Sequence, residues 1–104
     1  MAAISEVPYG SDIKVEITAT ACGFSMDDDD FYVNLYVSSK NKHTIPKAEM
    51  KKNLTNGKYI LTAHTADIGV GYYTMETVAT VPDTDFAEGI RIEIDRQRIC
   101  RVIP

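Results

Sequence analysis

The stretch Val81-Pro82-Asp83-Thr84-Asp85-Phe86-Ala87-Glu88-Gly89-Ile90-Arg91 lies between two segments with the alternating pattern of β-strands. Pro82 cannot donate a backbone hydrogen bond to a sheet, so we expect it to end the first strand. Asp83 and Asp85 are residue types that hydrogen-bond their own backbone in turns, and Gly89 tolerates the backbone angles of a tight turn. With Phe86 anchored at the core edge, these five residues predict a structural loop within a β-sandwich.

Alternating strand patterns lie on both sides of this loop. Before it, residues 72–81 place Tyr73, Met75, Ala79 and Val81 on one face. After it, the isoleucines at 90, 92 and 94 alternate with charged residues, as in a half-buried strand, and a last run covers 98–103. Three further strand patterns are predicted earlier in the chain, at residues 12–19, 31–37 and 58–64.

Two intervening segments have weaker patterns. Residues 38–44 are polar and turn-like. Residues 47–54 fit either a short helix or an edge strand protected by lysines, and we interpret them as the edge strand. Asn56-Gly57 predicts a type I′ hairpin that joins this segment to the strand at 58–64, because both residue types tolerate positive φ.

The order of these elements predicts one all-β domain. A chain of 104 residues is long enough for one hydrophobic core, and its 44% apolar and 25% charged composition is ordinary for a globular protein. Residues 1–10 carry Pro8 and Gly10 without a sustained period, which predicts an extended N-terminal arm. Residues 11–104 then form a β-sandwich of about seven short antiparallel strands.

Charge and hydropathy argue against two classes of partner. The formal net charge of −4 is opposite to that of a surface built to neutralise phosphates, so we expect no nucleic-acid partner. The N-terminus lacks the pattern of a secretion signal, and no window approaches the roughly 18 apolar residues of a membrane span. We therefore expect no membrane partner.

No motif in the chain predicts catalysis, a metal or a cofactor. The acidic run Asp27 to Asp30 lacks the ligand spacing of an EF-hand, so a solvated loop is the better interpretation. Asp83, Asp85 and Glu88 are better explained by backbone capping than by metal binding. His43 and His64 lie on different predicted elements, and no sequence motif of nucleophilic catalysis accompanies them. We predict a protein that is not an enzyme.

The two cysteines are far apart in sequence. Cys22 and Cys100 do not form a C-x-x-C motif, and no histidine lies near either to suggest zinc. We predict that both are buried, reduced thiols.

Three tyrosines are candidates for a binding surface. Tyr32 and Tyr36 lie on the face of their strand opposite the apolar set, and Tyr72 faces opposite Tyr73. Such tyrosines either contribute to a protein interface or stack on sugars, since the ring is apolar and the hydroxyl stays hydrated. We favour the interface, with a carbohydrate-binding module as the alternative.

Residues 57–104 resemble a known family. The resemblance rests on Gly57-Lys58-Tyr59-Ile60, on Asp67-Ile68-Gly69-Val70-Gly71 and on the loop quoted above. In these residues the chain is similar to the small immunoglobulin-like domains of tailed-phage virion proteins, such as those that begin baseplate upper proteins and fibre-attachment proteins. In that family a strand enters an lG-x-G turn, and a long strand then leads to iPDxDfpdGiR and two closing strands.

The resemblance implies a structural role in a phage particle. It implies an immunoglobulin-like sandwich, made in the host cytoplasm and incorporated in many copies into the virion. The chain ends at Pro104 directly after the last predicted strand, whereas members of the family continue into a fibre or binding domain. The expected role is therefore that of an auxiliary protein decorating the capsid, or of an adaptor in the head, tail or fibre assembly. Its expected partners are the major capsid protein or tail and fibre proteins.

Overall fold

A computed structural model describes residues 5–18, 22–38 and 41–104 of this chain. These residues form eight strands, one four-residue helix and one 3₁₀ turn at Lys47–Glu49. The bounds are β1 Ser5–Pro8, β2 Asp12–Ile17, β3 Phe31–Val37, β4 Asn41–Pro46, β5 Lys51–Lys52, β6 Tyr59–His64, α1 Thr65–Ile68, β7 Gly71–Pro82 and β8 Ile90–Ile103.

The strands form two sheets. One has five strands in the order β1-β8-β7-β3-β4, and the other has three in the order β2-β6-β5. Neighbouring strands are antiparallel except for β1, which runs parallel to the last residues of β8, from Cys100 to Ile103. The predicted all-β sandwich is confirmed.

The core lies between the two sheets. Alternate residues of β3 and β7 point inwards, and alternate residues of β2 and β6 meet them from the smaller sheet. Side chains of this core that are at most 2% exposed are Ile17, Phe31, Val33, Leu35, Leu61, Met75 and Val81. A second cluster at one end contains Val37, Tyr73, Cys100 and Val102.

Phe31 connects the core to the acidic loop before β3. Its ring packs edge-to-face on Tyr59 with centroids 5.3 Å apart, and on Phe24 at 6.4 Å. The Lys47 ammonium lies 5.5 Å from the Phe31 ring centre and donates hydrogen bonds to the backbone oxygens of Asp27 and Asp29. The predicted solvated loop is therefore held against the sandwich by a lysine that also covers the aromatic cluster.

The N-terminal segment differs from the predicted arm. Residues Ser5–Pro8 form β1 and pair with the end of β8, so this part of the arm is a strand of the larger sheet. Residues 1–4 of the predicted arm lie outside the described residues. The alternating signal is weak here because β1 has only four residues, and its pairing with a strand 95 positions later leaves no local pattern.

The middle of the chain differs as well. The predicted turn at 38–44 overlaps β4, whose residues Asn41–Pro46 pair with β3. The predicted edge strand at 47–54 is reduced to the 3₁₀ turn and two residues of β5. The hairpin to β6 exists, but its loop spans residues 53–58 and only Gly57 has positive φ, so the turn is not type I′. Polar edge strands carry a weak hydrophobic pattern because only part of one face is buried.

Within the described residues, no helix has the length and apolar character needed to cross a bilayer.

Candidate interaction surface

The face of the five-stranded sheet that points away from the core, here called the outer face, carries all three tyrosines singled out in the sequence. Tyr32 and Tyr36 alternate with the buried residues of β3, and Tyr36 pairs with Thr74, two residues after Tyr72 on β7. Tyr32 is 36% exposed and Tyr72 40% exposed, while Tyr36 is half-buried. The predicted grouping of these residues on a surface is therefore present in the fold, whereas their role stays a prediction.

One end of the outer face is an apolar patch. The register places Val78 of β7 directly between Tyr32 of β3 and Ile94 of β8. Ile90, Ile92 and Ile94 are 41%, 51% and 51% exposed, and Val78, which is paired with Ile94, is 5% exposed. We call Tyr32, Val78, Ile90, Ile92 and Ile94 the apolar patch. A continuous group of large apolar side chains on a small protein marks a contact surface, because exposing it to water costs free energy.

The three isoleucines do not lie on the face that strand alternation alone would assign to the core. On β8 it is Arg91, and with it residues 93 and 95, that share the inward side with Val81 of β7. Those charged residues remain half-buried or exposed, which shows that the three-stranded sheet does not extend beneath this part of β8. The isoleucines therefore lie on the outer face. The charged residues lie on the inner side of β8, where the three-stranded sheet does not cover them.

The centre of the outer face is a buried polar network. Asn34 and Glu76 are 5% and 6% exposed, and the Asn34 amide donates to Glu76 Oε1 at 2.9 Å. Arg96 Nε donates to Glu76 Oε2 at 2.6 Å, and Thr44 donates to Asn34 Oδ1 at 2.7 Å. The Asn34 amide, followed by the Arg96 guanidinium, holds the pKa of Glu76 below its usual range. Each side chain of the network provides a hydrogen-bond partner for another. The network therefore holds β4, β3, β7 and β8 in register.

The other end of the outer face is aromatic and cationic. The guanidinium of Arg98 lies 4.6 Å from the centre of the Tyr72 ring, and that of Arg101 lies 5.4 Å from it. Arg101 also pairs with Glu6 of β1 at 3.5 Å. This end can accept an acidic or aromatic group from a partner, since the two cations are exposed and are positioned by the same ring.

The loop after β7 has the predicted turn, with one difference. β7 ends at Pro82, the Asp83 Oδ1 atom accepts a hydrogen bond from the backbone N–H of Asp85, and Gly89 has a φ of 77°. Asp83 also forms an ion pair with Arg91, which in turn donates to the backbone oxygen of Cys22. Phe86, however, is 46% exposed, so it does not anchor the loop on the core.

Acid should weaken this loop through Asp83. The backbone N–H of Asp85 and then the Arg91 guanidinium lower the pKa of Asp83. Because the pKa of Asp83 is lower in the folded state, the ionised carboxylate stabilises the fold at every pH above its ordinary pKa of 3.8. This contribution is lost as pH falls through the lowered pKa. Asp83→Asn should therefore be less stable than the wild type at neutral pH, and the difference in stability should shrink as pH falls through the lowered pKa of Asp83.

Denaturant unfolding at several pH values measures this difference. The matched control, Asp85→Asn, removes the same charge from the same loop and leaves the ion pair between Asp83 and Arg91 in place. Its loss of stability at neutral pH should therefore be smaller than that of Asp83→Asn. A difference between Asp83→Asn and the wild type that is constant from acid to neutral pH would contradict the assignment.

His64 and Asp27 form separate contacts with neighbouring side chains. His64 Nδ1 lies 2.7 Å from Asp12 on the surface, and this carboxylate raises the pKa of His64. Asp27 is engaged by Lys52 and Tyr59, at 2.8 and 2.9 Å. Among the residues that the structure describes, no three His, Cys, Asp or Glu side chains are grouped so that they could hold a metal ion.

The two cysteines occupy different environments. Cys100 is a buried free thiol, as predicted, and burial raises its pKa, which disfavours the reactive thiolate. Cys22 is also free but is exposed, so its predicted burial is wrong. It lies in the loop between β2 and β3.

Neither a protein-family model, nor a curated protein, nor a solved structure matches this chain. The fold and the outer face are therefore the observations on which a functional argument rests.

Proposed function

We propose that this chain is a non-enzymatic structural protein of a tailed-phage particle, acting through protein–protein contacts of the outer face. The observation that carries the proposal is the apolar patch, in which four large side chains are at least 36% exposed beside a rigid polar network. Exposed aromatic and aliphatic groups on a preorganised sheet fit a protein partner, since little side-chain freedom is lost on binding. The resemblance of residues 57–104 to virion domains supports the particle setting.

We further infer that the sandwich is immunoglobulin-like. The order β8-β7-β3-β4 corresponds to strands G, F, C and C′ of that fold, and β2-β6-β5 corresponds to B, E and D. β1 adds a strand beside the one that corresponds to G. This correspondence supports the resemblance by sheet order, independently of the sequence motifs in the loops.

Within a particle, decoration of the capsid is the role that we favour, and an adaptor in the head, tail or fibre assembly is the alternative position. Both roles need a small, stable domain that presents one contact surface in many copies. Its partner would be the major capsid protein in the first case and a tail or fibre protein in the second.

Mass spectrometry and labelling of purified particles test this proposal. We expect the chain in many copies per particle, bound at capsid or tail, and no turnover of any substrate. Tyr32→Asp should fold but bind particles lacking the chain at least tenfold more weakly, because an interfacial tyrosine contributes about 2 kcal/mol or more. The control Thr62→Asp, on the exposed side of β6, should bind like the wild type. Absence of the chain from particles would overturn the proposal.

A carbohydrate-binding module remains the second candidate because Tyr36 and Tyr32 flank amide, carboxylate and guanidinium groups on one face. Binding to a glycan array that is lost in both Tyr32→Ala and Tyr36→Ala would favour this module over the virion protein. The polar network argues against it, since Asn34 and Glu76 already satisfy each other and are buried.

A further inference from the structure

The two halves of β8 differ in what lies beside them. From Cys100 to Ile103, β8 pairs with β7 on one side and with β1 on the other. From Ile90 to Arg98 it pairs with β7, and no strand among the described residues pairs with its other edge. Every second residue of this segment, here called the free edge, therefore directs its backbone N–H and C=O away from the sheet.

The side chains of the free edge make it suitable for strand pairing. Ile90, Ile92 and Ile94 project from its outer side and are at least 41% exposed. Natural edge strands are commonly protected by lysine, proline or inward charges. The outer side of the free edge is apolar from Ile90 to Ile94, and the charges on its inward side, Arg91 and Glu93, are of opposite sign and can pair across a junction of two edges. A second strand at this edge would satisfy the backbone groups and cover the flanks of the isoleucines.

We propose that two copies of this chain form a symmetric dimer in which their free edges pair antiparallel, centred on Ile92. In this register Ile92 lies opposite Ile92 of the second copy, and Ile90 lies opposite Ile94. On the other side of the paired strands, Arg91 of each copy lies opposite Glu93 of the other. Both faces of the junction are thus complementary, as a two-fold interface requires.

The charged residues of the free edge favour this register over the adjacent registers. Centring the pair on Arg91 or on Glu93 would place that residue opposite its own copy, and directly opposed like charges destabilise a sheet. Centring it on Ile94 would place Glu93 opposite Asp95 twice. Only the register centred on Ile92 combines opposed isoleucines with opposed opposite charges.

The ion pairs of the free edge are already arranged for this contact. Arg91 Nε donates to Glu93 Oε1 of the same chain at 2.7 Å, and the Arg91 side chain, 24% exposed, is also held by Asp83. In the dimer, two arginines and two glutamates would alternate around the two-fold axis, so each carboxylate would lie between two guanidinium groups. Because Arg91 is positioned in the monomer, pairing would cost it little side-chain entropy.

The dimer would also enlarge the surface assigned above to protein contacts. Edge-to-edge pairing keeps the outer faces of both copies on the same side and brings the two rows of three isoleucines together. The inference does not depend on the phage setting, since it concerns the contact between two copies alone.

Sedimentation equilibrium over a range of concentrations tests the dimer. We expect the wild type to reach twice the monomer mass as concentration rises. Glu93→Arg would place four arginines at the axis and should raise the dissociation constant at least tenfold. The matched control Glu16→Arg reverses a charge on β2, where the side chain is 45% exposed compared with 49% for Glu93, and should leave the dissociation constant unchanged. A wild type that stays monomeric, or a Glu93→Arg variant whose dissociation constant equals that of the wild type, would overturn the proposal.

Cross-linking tests the register. In a Cys22→Ser background, which removes the exposed native thiol, Ile92→Cys should be joined to its second copy by a short bis-maleimide. Ile94→Cys should not, because two such residues would lie about 13 Å apart along the strands. Mixing Ile90→Cys with Ile94→Cys should restore cross-linking. Stronger cross-linking of Ile94→Cys than of Ile92→Cys would overturn the register.

The two proposals fail separately. A monomeric chain that is abundant in particles would overturn the dimer and leave the structural role in place. A dimer that is absent from particles would do the reverse.

Discussion

Phe31→Ala is expected to lower the free energy of unfolding by about 3–5 kcal/mol, the range for truncating a buried phenylalanine. Phe31 is fully buried between the sheets, and its ring packs edge-to-face on Tyr59 and Phe24. Truncation would leave a cavity and remove the ring over which Lys47 lies while it holds the acidic loop. The substitution should therefore also weaken the contacts that hold the acidic loop.

Chemical denaturation measures this effect against a control with the same substitution. Phe86→Ala removes the same atoms from a ring that is 46% exposed, so its loss should be within about 0.5–1 kcal/mol. Hydrogen exchange of loop residues 22–30 should increase in Phe31→Ala and not in Phe86→Ala. Equal losses in the two variants would contradict the described core.

Glu76→Ala should cost about 2–4 kcal/mol, because hydrogen bonds to a charged group contribute about 1.5–3 kcal/mol and a buried donor loses its acceptor. The side chain of Glu76 is 8% exposed and accepts bonds from Asn34 and Arg96. Without it, the Asn34 amide would be buried with no carboxylate to receive it. Arg96, at 65% exposure, would be hydrated and would add less to the loss.

A denaturation series separates these contributions. Glu76→Gln keeps an acceptor for Asn34 and removes the charge that faces Arg96, so its loss should lie between those of the wild type and Glu76→Ala. The control Glu16→Ala removes a glutamate that is 45% exposed from the other sheet and should cost less than about 1 kcal/mol. If Glu16→Ala and Glu76→Ala were equally destabilised, the polar network would not be a stabilising part of the sheet.

The interaction surface was predictable in part. Alternation along β3 and at the start of β7 was enough to place Tyr32, Tyr36 and Tyr72 opposite the buried residues, because side chains on a strand alternate faces whatever its neighbours are. The network between Asn34 and Glu76 was not predictable, since its members lie 42 positions apart and meet only through the register of β3 and β7. No local pattern distinguishes such an asparagine from an exposed one.

Sequence alone determined the all-β class, the strands with strong alternation and the turn at Asp83 and Gly89, because these follow from contacts between near neighbours in the chain. Tertiary structure alone decided that Ser5–Pro8 joins the larger sheet and that Phe86 stays exposed. It also decided which side of β8 is covered. Alternation gives two faces but does not say which one meets a second sheet. Ile90, Ile92 and Ile94 lie on the face that points away from the three-stranded sheet, so these isoleucines remain at the surface.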